Sequence, residues 1–164
     1  MMNAGGRSIS LEECAQEVVD GVLLLMHSVY VEVKNLPTPD LSMSQFRALA
    51  FLKLLPGVSL SEVAAHIGIT LASTSKMIDG LVARNLVMRR NSSTDRRYIT
   101  LTLTEQGQSL FESARHRVEI HLAGKLKALP EAERATVMEA MQALRPIFMP
   151  GQEAIAARAQ DAQR

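Results

Sequence analysis

The chain has no tryptophan, a single cysteine (Cys14) and few aromatics, 4% of 164 residues. A lone cysteine excludes an internal disulfide framework and a cysteine-rich zinc site, and it fits a reducing cytoplasm, the expected compartment. Scarce aromatics leave Leu, Val, Ile, Ala and Met to build the core, which favours packed helices over a sheet sandwich. No run is read as approaching the ~18 apolar residues of a membrane span. The opening MMNAGGRSIS lacks an apolar signal core, so no membrane partner is expected. Also missing are G-x-S-x-G, a phosphate-cradling glycine loop and a distinctive carboxylate pair; neither an enzyme nor a cofactor is expected.

What is present is apolar, at 47% of the residues, enough for a sizeable core. Net charge is only +1 but unevenly spread. Residues 73–97 carry six basic side chains against two acidic ones, a local +4, while the remainder carries 12 basic and 15 acidic residues. A basic segment on a mildly acidic body is the footprint of a phosphate-facing surface.

Helix starts are well marked. Ser10-Leu11-Glu12-Glu13, Ser42-Met43-Ser44-Gln45 and Ser59-Leu60-Ser61-Glu62 each have the capping-box pattern, in which hydroxyl and carboxylate or amide satisfy each other's backbone N–H groups. The first opens a long helix striped by Val18, Val19, Val22, Leu25, Met26, Val29 and Val33, ended by Pro37 and Pro39. The second is broken at Pro56-Gly57. The third is short and turns at Gly68, after which Thr70 caps a fourth helix running to about Arg84. Asn85 stands where a left-handed residue is wanted. Residues 86–90 and 98–103 then read as the two strands of a hairpin around the turn-rich 91–95. Thr104 caps a long helix to about Leu126, and Pro130 suits the first turn of another that reaches about Pro146 or Phe148.

The predicted fold class is mainly α: a winged helix-turn-helix with a two-stranded β-hairpin wing, plus an α-helical dimerisation region from both chain ends. Residues 42–104 would form the DNA-binding domain, 9–35 and 105–148 the dimerisation region, and 1–8 and 150–164 flexible tails. On the fourth helix Thr74, Met77, Ile78 and Leu81 would face inward. Ala72, Ser73, Ser75 and Lys76 would face outward, a slim surface with hydrogen-bonding groups and one cation, suited to a major groove. With Thr70 at the N-terminus and Arg84, Arg89, Arg90, Asp95, Arg96 and Arg97 beyond, these are the candidate DNA-binding residues. An arginine at the hairpin tip suits a narrow minor groove. Asp95, acidic at such a surface, is expected to hold a neighbouring guanidinium in place.

The run "LSEVAAHIGITLASTSKMIDGLVARNLVMRRNSSTDRRYITLTLTEQG" resembles the DNA-binding core of the MarR family of bacterial transcriptional regulators, most distinctively in Asp95-Arg96-Arg97 and the "LT…G" beyond it. The flanking helices extend the resemblance to about residues 9–148. It implies a homodimer that binds double-stranded DNA at a pseudo-palindromic operator, usually represses, and is released by a small aromatic or phenolic effector. By position, Ser73, Ser75 and Lys76 would meet the major groove, and Arg96 or Arg97, tied to Asp95, would sit at the wing. Two departures stand out. Gly80 occupies a site where many relatives have arginine and costs ~1 kcal/mol of helix propensity; Asn85 replaces the more usual glycine.

Other residues carry weaker signals. Cys14 near a helix start can be read as an oxidant-sensing thiol, as in some of these regulators, or as a small hydrophobe. His27 and Tyr30 are candidates for an effector cleft. His116 and His121, five apart, fall on different helix faces, and no metal site is expected. The rival reading is a helical protein-interaction module whose first and last helices form the working surface.

Overall fold

The computed structural model describes residues 9–36, 41–91 and 99–149. The elements, in chain order, are α1 (Leu11–Lys34), α2 (Met43–Leu54), α3 (Leu60–Ile67), α4 (Leu71–Ala83), β1 (Val87–Asn91), β2 (Ile99–Leu103), α5 (Glu105–Leu126) and α6 (Glu131–Phe148). All three capping boxes form as the sequence implies, with Ser10, Ser42 and Ser59 accepting from the N3 amides of Glu13, Gln45 and Glu62. Thr70 and Thr104 cap α4 and α5 in the same way. Pro130 lies one residue earlier than expected, at the N-cap of α6. The expected tails and Pro37, Pro39 and residues 92–98 lie outside the described residues.

Apolar spacing decides what packs. Ala48, Leu49, Phe51 and Leu52 of α2, Val63 and Ile67 of α3, and Ile78 and Leu81 of α4 meet in one buried cluster. Leu86, Val87, Leu101, Phe111 and Ala114 complete it from the hairpin and α5. β1 and β2 pair antiparallel with Val87 opposite Leu103 and Asn91 opposite Ile99. The α2–α3 connector joins this sheet: Gly57 N–H donates to Leu101 O at 2.9 Å, and Leu101 N–H donates to Val58 O at 2.8 Å. Gly57 has φ +82°, a backbone that favours glycine, so Pro56-Gly57 both stops α2 and turns the chain onto the wing. Asn85, at φ 55°, takes the left-handed position assigned to it.

The two ends of the chain behave differently. α1 packs on α5 and α2 but buries only Val33, leaving Val19, Val22, Leu25 and Met26 of its stripe exposed. α6 buries none of its residues. Against the expectation from sequence, one helix among the described residues is long and apolar enough to cross a membrane by length and composition. It is α1, with mean hydropathy 1.2 over an 18-residue window. Its charged residues lie mostly toward its two ends, which leaves the middle of the helix apolar.

Candidate nucleic-acid interface

α4 is set by its inward face. Thr74, Ile78 and Leu81 have no exposed surface, and the Thr74 hydroxyl is satisfied by donating to Thr70 O at 2.9 Å. Met77 packs against the same core from a half-buried position. This fixes the opposite face: Ala72, Ser73 and Lys76 are exposed as expected from sequence, whereas Ser75, expected to face outward with them, is half-buried. The Thr70 hydroxyl accepts from Ser73 N at 3.2 Å and donates to Ser73 Oγ at 2.9 Å, so the first turn presents an ordered pair of hydroxyls beside free helix N–H groups.

The basic residues divide by place. Arg84 is the half-buried C-cap of α4, at the far end from the exposed first turn. Arg89 and Arg90 stand exposed on β1. Arg90 Nε lies 3.1 Å from Met88 Sδ, while Arg89 Nη2 donates to Asp79 Oδ1 at 2.6 Å. An acidic residue does hold a guanidinium at this surface, and it joins α4 to β1. The expected pairing of Asp95 with a neighbour, and the placement of Arg96 and Arg97, lie outside the described residues.

Two supports of the interface were not legible in the sequence. Arg47 of α2 donates from Nη1 to Ile67 O at 3.1 Å and from Nη2 to His66 O at 3.0 Å, closing the end of α3. The His66 ring stacks on Phe51, centroids 4.1 Å apart and 7° from parallel. Burial, and then the Arg47 charge, push the His66 imidazole below its ordinary pKa. The i, i+4 spacing of Arg47 and Phe51 was a signal, but their common target is distant in sequence. The second support is the start of α5, where Thr104 Oγ1 donates to Asn85 O at 2.6 Å and accepts from Gly107 N at 2.9 Å.

The effector and redox candidates gather less. His27 and Tyr30 are both exposed on α1. Cys14 is exposed and free. His116 and His121 do face different ways. His116 lies near Glu119 on its own helix, whereas His121 bridges α5 to α1, with Nε2 3.2 Å from Ser28 Oγ and Nδ1 3.4 Å from Glu32 Oε2.

A helix, a three-residue turn, a second helix with one exposed polar face, and a hairpin packed beside it define a winged helix-turn-helix protein. The model of the MarR family matches residues 41–99, covering this unit as far as the start of β2. A curated relative, the HTH-type transcriptional regulator YfiV of Bacillus subtilis, is 29% identical over 105 residues, 64% of this chain and 66% of its own length. Among solved structures, RV1404 from Mycobacterium tuberculosis superposes with a TM-score of 0.70 at 21% identity, covering 86% of this chain and 95% of that one. The transcriptional repressor CouR bound to a 23-mer DNA duplex gives 0.54 at 25% identity, covering 88% and 98%. Over residues 41–99, its winged-helix segment, the chain is thus similar to the MarR family.

Proposed function

We propose that the chain binds double-stranded DNA sequence-specifically as a homodimer and represses transcription from a pseudo-palindromic operator in the cytoplasm. The observation that carries this is the division of α4: Thr74, Ile78 and Leu81 are sealed in the core while Ala72, Ser73 and Lys76 are offered to solvent. Small side chains let a helix approach base edges, hydroxyls and the lysine supply bonds to bases or phosphates, and Arg90 extends the cationic surface onto the hairpin. Two such helices, held by a dimer, would enter successive major grooves about one turn apart. The wings, with Arg96 and Arg97, would reach the flanking minor grooves.

The dimer reading rests on the apolar surface that a single chain leaves uncovered. Val19, Leu25 and Met26 on α1 and Val137, Met138, Met141, Ile147 and Phe148 on α6 are all exposed. Residues 9–35 and 105–148 would pair with their counterparts, burying that surface. An apolar α1 then has a protein partner and needs no bilayer. A small aromatic or phenolic effector would release DNA by favouring a spacing of the two α4 helices that does not match the groove repeat.

The test is a fluorescence titration of labelled duplexes over a range of salt. Log affinity should fall linearly with log salt, with a slope of about one per phosphate neutralised. Lys76→Ala should weaken binding by roughly 1–3 kcal/mol if it reads a base. Salt-independent binding, or none to any duplex, would favour the interaction-module reading instead.

A further inference from the structure

We propose that Arg47 and Phe51 of α2 are positioning residues for DNA recognition, a two-point clamp on His66 that fixes where α4 leaves the turn. The proposal rests on the DNA-binding reading above and deepens it. His66 is gripped at two places by residues one helical turn apart: its carbonyl by Arg47 Nη2 at 3.0 Å, its ring by Phe51 in a parallel stack. The second arm of the guanidinium takes the next carbonyl, Ile67 O, at 3.1 Å. Both carbonyls sit in the last turn of α3, where the helix's own ladder leaves acceptors unfilled and the dipole favours a cation.

The clamp closes on the chain just before the exposed helix begins. Only Gly68 and Ile69 separate Ile67 from Thr70, the N-cap of α4. Gly68, at φ 79°, already commits the turn's conformational freedom to a left-handed residue. Displacement of the α3 end therefore passes to Ala72, Ser73 and Lys76 with little intervening chain to absorb it. A binding constellation must be held within about 0.5 Å of its productive geometry. α2 is itself anchored by Ala48, Leu49 and Leu52 in the core, so the clamp ties the reading head to a helix fixed by the core. A planar fork is needed: lysine in place of Arg47 reaches one carbonyl and not both.

Selection of duplexes from a random library with the wild-type chain supplies the probe, and a scrambled duplex of the same composition supplies the control. Arg47→Met, Arg47→Lys and Phe51→Leu are compared at a temperature where circular dichroism shows each folded. Arg47→Met should lose roughly tenfold or more on the selected duplex, with the scrambled duplex held within about twofold and the salt slope unchanged. Arg47→Lys should fall between Arg47→Met and wild type, and Phe51→Leu should show the same selective loss. Independently, the His66 ring-proton NMR titration should move to higher pH in Arg47→Met, because the opposing cation is gone. A salt slope smaller by about one on both duplexes would make Arg47 a phosphate contact and overturn the proposal. So would equal loss on both duplexes, or no loss on the selected one. A wild-type chain that selects no duplex would overturn the DNA-binding reading and this one with it, whatever the NMR titration shows.

Discussion

Gly107, in the first turn of α5, lies directly against the backbone carbonyl of Leu86, so closely that a Cβ at this position would overlap the Leu86 oxygen. The contact locks the α4–β1 junction to the start of α5, alongside Thr104 N–H donating to Leu86 O at 3.1 Å. Gly107→Ala should therefore destabilise the domain by about 1–3 kcal/mol despite the better helix propensity of alanine, since backbone cannot step aside like a side chain. Gly80, with open space around a built Cβ, is the control. Gly80→Ala should stabilise by up to ~1 kcal/mol in the same urea titration.

Ile78 is sealed at the centre of the α4 inward face. Ile78→Ala should cost about 2–5 kcal/mol, through lost transfer energy and the cavity left behind. Exposed Ala72→Ser should stay within about 0.5 kcal/mol in the same denaturation series.

The Asp79–Arg89 pair is short but largely solvated, so Asp79→Asn should change stability by no more than about 1 kcal/mol. Its effect on DNA should be larger. Removing the carboxylate frees Arg89 and takes a negative charge from the side proposed to face phosphate. Affinity for scrambled duplexes should rise and the salt slope steepen. An unchanged slope would mean that Arg89 stays away from phosphate in the complex.

His66 sets a pH dependence. Its pKa is below the ordinary value of 6.5, first through burial and then through Arg47. The unfolded chain therefore binds the proton more readily than the folded one. Above about pH 6.5 both states hold a neutral ring and the stability is fully present. As pH falls from there through the depressed folded value, that stability is lost. His66→Gln should remove this part of the acid sensitivity, measured as the difference between the two urea-denaturation pH profiles. Identical slopes below pH 6.5 would contradict it.

The uncovered apolar faces make a separate prediction. In the proposed homodimer, Leu25→Glu on α1 or Met141→Glu on α6 should shift the chain toward monomer in sedimentation. Binding to the selected duplex should weaken far more than tenfold, because losing the second α4 helix removes half the contacts.

Local rules in the sequence determined the element boundaries. Ser10, Ser42, Ser59, Thr70 and Thr104 each cap a helix by bonding an amide three residues on, and Gly68 and Asn85 turn because a left-handed backbone is open to them. The 3.6-residue period likewise put Thr74, Ile78 and Leu81 inside, so the outward set on α4 was legible as its complement. Tertiary structure decided what those rules cannot reach. The grip of Arg47 and Phe51 on His66, the pairing of Arg89 with Asp79, the join of Val58 to Leu101 and the fit of Gly107 against Leu86 all bring together residues well separated along the chain. No periodicity links such positions, because the partners become neighbours only after the core has set the angles between helices.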